Sequence, residues 1–156
     1  MNERERLAAP EHARNIEYQK ALEHSNKTGK CIFCDPLGPQ NVTLKVGKFW
    51  RCWWNPIPYK HLEGRHFIIA SIKHAKDLSE LESGAGDELL ELVNWAKSEF
   101  PILQHVGIVI RNGNVEGTIS HLHVHLQAPD GIHTCIAVFG KGQNWPQIQK
   151  LLDEEP

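Results

Sequence analysis

Three histidines that alternate with aliphatic residues form the most informative segment of the chain, HLHVHLQ at residues 121–127. Alternation is the period of a β-strand, so the imidazoles share one face and the aliphatic side chains share the other. The apolar face can be buried, which leaves a rigid row of imidazoles that titrate near neutral pH. Such a row can attack phosphorus, transfer protons or bind a metal ion. The alternative is a histidine-rich surface strand, and the aliphatic partners argue against it.

Two cysteines supply a second chemical feature. Cys31 and Cys34 have the spacing of a metal half-site, and the same spacing occurs in redox dithiols. The sequence shows no secretion signal, so we expect reduced thiols, which favours the metal half-site. Cys52 and Cys135 have no such spacing and are interpreted as structural thiols.

Composition limits the class of protein. The 156 residues, 40% hydrophobic and 23% charged, predict one globular domain with a real core. Seventeen Lys and Arg against nineteen Asp and Glu give a formal charge of −2, so no general positive field would recruit a nucleic acid polymer. No apolar run reaches the length of a membrane span. We therefore expect a cytoplasmic protein in which any phosphate binding comes from a local site.

The elements that must position these residues follow from the pattern of apolar residues and breakers. Helices are predicted at residues 10–24, at 87–100 with Asp87 as the N-cap and Pro101 as the stop, and from Pro146 onward. Strands are predicted at residues 42–46, 49–54, 65–70, 106–110, 119–127 and 132–138. Strands in hairpins with one long helix indicate an α+β fold with an antiparallel sheet.

The triad segment resembles the signature of the histidine triad family, His-φ-His-φ-His-φ-φ with φ apolar, with Gln127 at the last position. GRHFIIASIKH (residues 64–74) resembles the family's strand-and-turn segment, and CIFCD (residues 31–35) resembles the entry segment of its bacterial members. The resemblance implies a five-stranded antiparallel sheet with one long helix and short flanking helices, paired as a two-fold homodimer. It divides the chain into a helical extension (1–29), a histidine triad domain (30–139) and a tail with a short helix (140–156).

The resemblance also implies catalytic roles. The middle histidine, His123, would be the nucleophile that forms a phosphohistidine intermediate. His125 would contact the same phosphate and stabilise charge in the transition state. His66 corresponds to the fourth active-site histidine of the family.

Four further residues correspond to nucleotide-binding positions of the family. Thr118 matches a Ser or Thr that touches the phosphate. Asn112, or alternatively Asn114, matches an amide that reaches the α-phosphate. Asn55 matches the residue that holds the ribose hydroxyls.

A structural zinc site is implied by the family's zinc-bearing members. Its ligands would be the two thiolates of Cys31 and Cys34 together with His74 and His121. Such a site would join the entry segment to the catalytic strand beside His123.

The predicted function is a hydrolase or nucleotidyltransferase that attacks the α-phosphate of a purine nucleotide conjugate, which could be a phosphoramidate, a dinucleoside polyphosphate or an acyl adenylate. A uridylyltransferase is disfavoured, because those enzymes carry Gln at the position of His125. The alternative is a nucleotide-binding or scaffold module with little turnover. In the tail, Trp145 and Lys141 are predicted to influence the choice of leaving group.

Overall fold

The computed structural model describes residues 6–13, 15–34, 42–114, 117–140 and 142–154. Within those ranges the chain forms three α-helices and five β-strands, joined by loops and short 3-10 turns. The helices are α1 (Ile16–Thr28), α2 (Ala85–Glu99) and α3 (Trp145–Glu154); the strands are β1 (Lys45–Val46), β2 (Trp50–Trp54), β3 (His66–Ser71), β4 (Gly107–Ile110) and β5 (His123–Gln127). No helix in the described part of the chain combines the length and apolarity needed to span a bilayer.

The strands form one antiparallel sheet in the order β1-β2-β3-β5-β4. This confirms the predicted α+β class and the five-stranded sheet. The central strand β3 pairs with β2 on one side and β5 on the other, and Ile68 lies opposite both Trp53 and His125. The pairing brings the triad strand beside the segment that begins with His66.

The two faces of the sheet have different partners. Helix α2 covers one face, and the aliphatic side chains of the triad segment are buried there as the alternation predicts: Leu122, Val124 and Leu126. Helix α1 covers the opposite face, where Tyr18 and Leu22 pack with Trp53 and Ile68. The imidazoles therefore belong to the face that α1 and the N-terminal segment cover.

Helix α1 begins later and ends later than the sequence predicts. Asn15 is its N-cap and accepts a hydrogen bond from the backbone N–H of Tyr18 at 2.8 Å. Pro10–His12 forms a separate 3-10 turn, which ends because Ala13 is extended. The helix stops at Gly29, whose φ of 70° is a left-handed conformation that glycine adopts without strain. The predicted range of 10–24 is therefore wrong at both ends.

Helix α2 starts at Ala85 with Gly84 as its cap, so the prediction of Asp87 as N-cap is wrong. Asp87 lies in the first turn, where a carboxylate interacts favourably with the positive end of the helix dipole. The predicted stop is confirmed. Phe100 is extended, as the residue before Pro101 tends to be, and a 3-10 turn follows.

Three strand predictions need correction. The strand predicted at residues 42–46 is limited to Lys45–Val46. Strand β5 starts at His123 rather than at residue 119, because the preceding residues pair elsewhere: Ile119 forms a bridge with Ala8, and Leu122 N–H donates to the carbonyl of Ala75. The described residues 132–138 form no strand. The carboxylate of Asp130 accepts the backbone N–H groups of Ile132 and His133, each at 2.8 Å, and this turn replaces ladder hydrogen bonds.

Candidate active site

Four metal-binding side chains meet at the edge of the triad segment. One ligand atom from each of Cys31, Cys34, His74 and His121 lies within 4.8 Å of all the others. His121 Nδ1 is 3.4 Å from Cys31 Sγ and 3.5 Å from Cys34 Sγ, and His74 Nδ1 is 3.3 Å from Cys34 Sγ. Sulfur and nitrogen ligands of a tetrahedral zinc ion are separated by about 3.6 Å. The donor set and its spacing fit such an ion.

The hydrogen bonds of this cluster also suit a metal. His121 Nε2 is 2.7 Å from the backbone carbonyl of Ser71, so it carries the proton and donates it, which leaves the Nδ1 lone pair directed at the thiols. The pKa of Cys31 is lowered, although the thiol is buried, chiefly by a hydrogen bond from the Cys34 thiol; the same contact raises the pKa of Cys34. A thiolate at neutral pH is the form that binds a metal.

A second cluster contains the three histidines expected to be catalytic. His66 Nε2 lies 2.7 Å from His125 Nδ1, and the rings of His123 and His125 are 4.7 Å apart. His66 and His125 are buried, and His123 is half-buried. The structure therefore brings all three together, on adjacent strands β3 and β5.

The protons on this cluster follow from Asn55. The backbone N–H of Ile57 donates to Asn55 Oδ1 at 3.0 Å, which turns Asn55 Nδ2 toward His66 Nδ1 at 3.1 Å. His66 Nδ1 is therefore an acceptor, and the proton of the neutral ring sits on Nε2. That proton is donated to His125 Nδ1, so neutral His125 carries its own proton on Nε2.

His123 has the opposite tautomer. Its Nδ1 is 2.5 Å from the backbone carbonyl of His121 and must donate to it, which leaves a lone pair on Nε2. Burial lowers the pKa of His123 to about 4, and the nearby charge of Arg111 acts in the same direction. The ring is neutral at pH 7. An unprotonated imidazole nitrogen is a competent nucleophile.

A pocket opens in front of these rings. Its wall combines aromatic and aliphatic side chains with polar ones; its described lining residues are Tyr18, Phe33, Trp53, Asn55, Pro56, Ile57, Tyr59, Ile68, Arg111, Thr118, Ile119, His123 and His125. A wall of this mixed kind offers both apolar contact and hydrogen-bond donors to a ligand.

The two clusters touch each other through two links. The first is the carbonyl of the metal-site residue His121, which accepts the Nδ1 proton of His123. The second is Phe33, which lies between the two cysteines in sequence. Its ring meets the His123 ring edge-to-face at 5.0 Å and the Trp53 ring at 5.3 Å. The metal-type cluster therefore orients the His123 ring.

Comparisons with known proteins show a similarity of fold. No protein-family model matches the chain, and no curated protein matches it in sequence. In structure it is similar to the histidine triad nucleotide-binding protein from Candida albicans, with 15% identity, a TM-score of 0.54, and coverage of 80% of this chain and 93% of that one. The chain has the histidine triad fold.

Two other solved structures share the histidine triad fold. One is a family hydrolase from Clostridium thermocellum, with 18% identity, a TM-score of 0.51, and coverage of 69% of this chain and 96% of that one. The other is a zinc-bound family protein from Mycobacterium smegmatis, with 14% identity, a TM-score of 0.51, and coverage of 80% and 91%. At these identities the likeness is one of fold, and the predicted five-stranded architecture agrees with it.

The structure places only some of the residues expected to bind nucleotide at the pocket. Asn55 and Thr118 line the pocket. Asn112 is exposed and bonded elsewhere: its Oδ1 accepts from Leu78 N–H at 2.7 Å and its Nδ2 donates to Asp77. Asn114 ends the same 3-10 turn, and its side chain lies outside what the structure describes.

Several pocket residues were not predicted from the sequence. Arg111 directly follows β4, whose pairing of Ile110 with Val124 places the next residue beside His123, so the strand register could have identified it. Tyr18, Trp53 and Tyr59 come from three separate segments, and no local motif joins them. In the tail, Trp145 begins α3, and Lys141 lies outside the described residues.

Proposed function

We propose that this chain is a nucleotide hydrolase or nucleotidyltransferase of the histidine triad type. The proposal depends most on the geometry of His123. Its Nδ1 donates to a backbone carbonyl, which leaves a lone pair on Nε2, and its ring lies 4.7 Å from the His125 ring in the wall of the same pocket. A nucleophile and a donor for phosphate oxygens at one point are what attack on an α-phosphate requires.

The reaction would proceed in two substitutions. His123 Nε2 attacks the α-phosphorus, a nitrogen–phosphorus bond forms, and the bond to the leaving group breaks with its electron pair. A phosphate leaving group departs as the anion, and an amine leaving group takes a proton from solvent. A water molecule or another acceptor then attacks the phosphorus, the nitrogen–phosphorus bond breaks, its electron pair returns to His123, and the acceptor's proton is released. His125 Nε2–H would donate to a phosphate oxygen in both steps.

The nucleoside would occupy the apolar part of the pocket. Tyr59 is half-buried and offers an aromatic surface to a purine, while the buried rings of Tyr18 and Trp53 support the wall. Thr118 would supply a polar group near the phosphate, whereas Asn55 would act through His66, because its amide is bonded to Ile57 N–H and to His66 Nδ1. Asn112 has no part in this arrangement, because its amide is bonded to the turn at Asp77 and Leu78.

Zinc is proposed as a structural ion held by Cys31, Cys34, His74 and His121. The support is the donor set, its spacing and the lowered pKa of the Cys31 thiol. All four positions are ligands, so the site is closed and offers no place for substrate. Bound zinc would stabilise the turn that carries Phe33 and the segment that carries the His121 carbonyl.

The decisive experiment measures turnover of adenosine phosphoramidate, diadenosine polyphosphate and lysyl adenylate by wild type, His123→Ala and the matched control His105→Ala. We expect His123→Ala to lose at least about a thousandfold in kcat, or ~4 kcal/mol of barrier, with AMP affinity nearly unchanged. His105 lies on an exposed turn outside the pocket, so its variant should match wild type. If His123→Ala keeps more than about a tenth of wild-type kcat, His123 is not the nucleophile.

The same panel separates an enzyme from a binding module. A nucleotide-binding or scaffold protein would bind AMP and form no acid-labile phosphohistidine in rapid-quench experiments with labelled substrate. The kcat/KM values rank the three leaving groups. The homodimer, the cytoplasmic location and the division at residues 29 and 139 stay predictions; sedimentation of the purified protein tests the first.

A further inference from the structure

Arg111 contributes a guanidinium to the wall of the pocket, next to His125 and Tyr59. It follows β4 and is half-buried. Its Nε and Nη2 donate to the backbone carbonyl of Val138 at 3.2 and 2.9 Å. This two-point contact fixes the plane of the guanidinium and leaves Nη1 on the pocket side.

Two hydrogen-bond donors face each other at that place. Arg111 Nη1 lies 3.4 Å from His125 Nε2 and 3.4 Å from the hydroxyl of Tyr59. His125 Nε2 carries a proton, because His125 Nδ1 accepts from His66. A guanidinium N–H and an imidazole N–H do not bond to each other. An anionic oxygen beside them would accept from both.

We propose that Arg111 binds a non-bridging oxygen of the substrate's α-phosphate, together with His125. The inference rests on the proposed function and gives Arg111 the phosphate contact that the family resemblance predicts for Asn112 or Asn114. An arginine supplies a permanent positive charge, whereas an amide supplies a neutral donor. This site should therefore prefer a charged α-phosphate over a neutral nucleoside by more than hydrogen bonding alone provides.

A competing role is that Arg111 only braces the segment around Val138. Arg65 provides the matched control for that role, since its Nη1 also donates to a backbone carbonyl, that of Pro129 at 3.5 Å, and it is not part of the described pocket wall. Both Arg→Gln changes remove a guanidinium–carbonyl contact. Only the change at Arg111 removes a charge from the pocket.

The first test measures binding of AMP and of adenosine by calorimetry to wild type, Arg111→Gln and Arg65→Gln. We expect Arg111→Gln to weaken AMP binding on the order of ten- to a hundredfold and to leave adenosine nearly unchanged. Arg65→Gln should keep the wild-type ratio of the two affinities. Equal losses for both ligands, or no loss, would overturn the assignment. Wild-type protein that binds neither ligand would overturn the nucleotide function, and the inference with it.

The second test uses the two diastereomers of adenosine 5′-thiophosphoramidate, in which sulfur replaces one or the other non-bridging oxygen. Wild type should prefer the diastereomer that keeps oxygen beside Arg111. Arg111→Gln should bring the ratio of the two kcat/KM values toward one, and Arg111→Lys, which keeps the charge, should retain part of it. A bracing role lowers both rates equally and leaves the ratio unchanged, which would overturn the proposal even if Arg111→Gln is less stable.

Discussion

The proton on each pocket imidazole is set by a neighbour that the backbone holds in place. Ile57 N–H orients the Asn55 amide, which makes His66 Nδ1 an acceptor, and the relay ends at the Nε2–H of His125. His123 is set separately by the His121 carbonyl. As a result a nucleophilic lone pair and a donor are adjacent, although both belong to the same residue type on the same strand.

Replacing the Nδ2 donor of Asn55 by an acceptor should therefore change which nitrogen of His125 carries the proton. In Asn55→Asp a carboxylate oxygen faces His66 Nδ1 and requires a proton there, so His66 either changes tautomer or becomes a cation. We expect kcat/KM to fall at least about tenfold, and nitrogen-15 NMR of the imidazoles to show the altered tautomer. Asn94→Asp makes the same change at an exposed position of α2 outside the described pocket wall and should leave kcat/KM as in wild type. An unchanged imidazole spectrum in Asn55→Asp would contradict the relay.

The four thiols should differ sharply in reactivity if zinc is bound. Burial raises the pKa of Cys52 to about 11, so at pH 8 only about one molecule in a thousand carries the reactive thiolate there. Protein purified without chelator should contain one zinc per chain and alkylate only at Cys135, which is partly exposed. A chelator should add Cys31 and Cys34, and denaturant should add Cys52. Alkylation of Cys34 before chelation, or zinc-free protein, would count against the metal site.

At the scale of elements, Glu88 in the first turn of α2 stabilises the turn between β1 and β2. Its carboxylate accepts backbone N–H bonds from Lys48, Phe49 and Trp50, each at 2.9 Å. Glu88→Ala leaves three donors with only water, and we expect it to cost about 1–3 kcal/mol in the free energy of unfolding. Glu91→Ala, on the exposed side of the same helix, should cost less than ~0.5 kcal/mol. Urea denaturation measures both; equal losses would remove the special role of Glu88.

Sequence patterns correctly predicted the elements whose structure depends on residues close to them in the chain. The alternation at residues 121–127 placed the aliphatic and imidazole side chains on the correct faces, and Pro101 ended α2. The prediction was wrong where a residue far away in the sequence determines the pairing. Ile119 pairs with Ala8, more than one hundred residues earlier, and so is not in β5. The strand predicted at residues 132–138 does not form, because the Asp130 carboxylate accepts backbone N–H groups that a β-ladder would use.

The candidate site shows the same division. The resemblance to a known motif supplied the three histidines proposed as catalytic and the four metal-type ligands, since most of these residues have a fixed spacing in the chain. Arg111 and Tyr18 enter the pocket only because β4 pairs with β5 and α1 packs across the sheet. Asn112 has the expected type and position in sequence, but the turn directs its amide to Asp77.

At the scale of the whole molecule, the sheet separates a core cluster that contributes only to stability from one that also forms the pocket wall. The cluster beneath α2 contains the aliphatic side of β5 and no residue of the described pocket wall. The cluster beneath α1 contains Tyr18, Phe33 and Trp53, which are also pocket residues. A defect of the same size should therefore have different consequences on the two faces.

Two leucines make this a matched comparison. Leu92 of α2 and Leu22 of α1 are both buried, and each Leu→Ala change should cost about 2–5 kcal/mol in the free energy of unfolding. At a temperature where both variants stay folded, Leu92→Ala should bind AMP like wild type. Leu22→Ala should bind it several-fold more weakly, because α1 carries Tyr18 to the pocket and shifts toward the cavity. Thermal unfolding and calorimetry measure the two effects. Equal AMP affinity in both variants would mean that α1 only covers the sheet and takes no part in shaping the site.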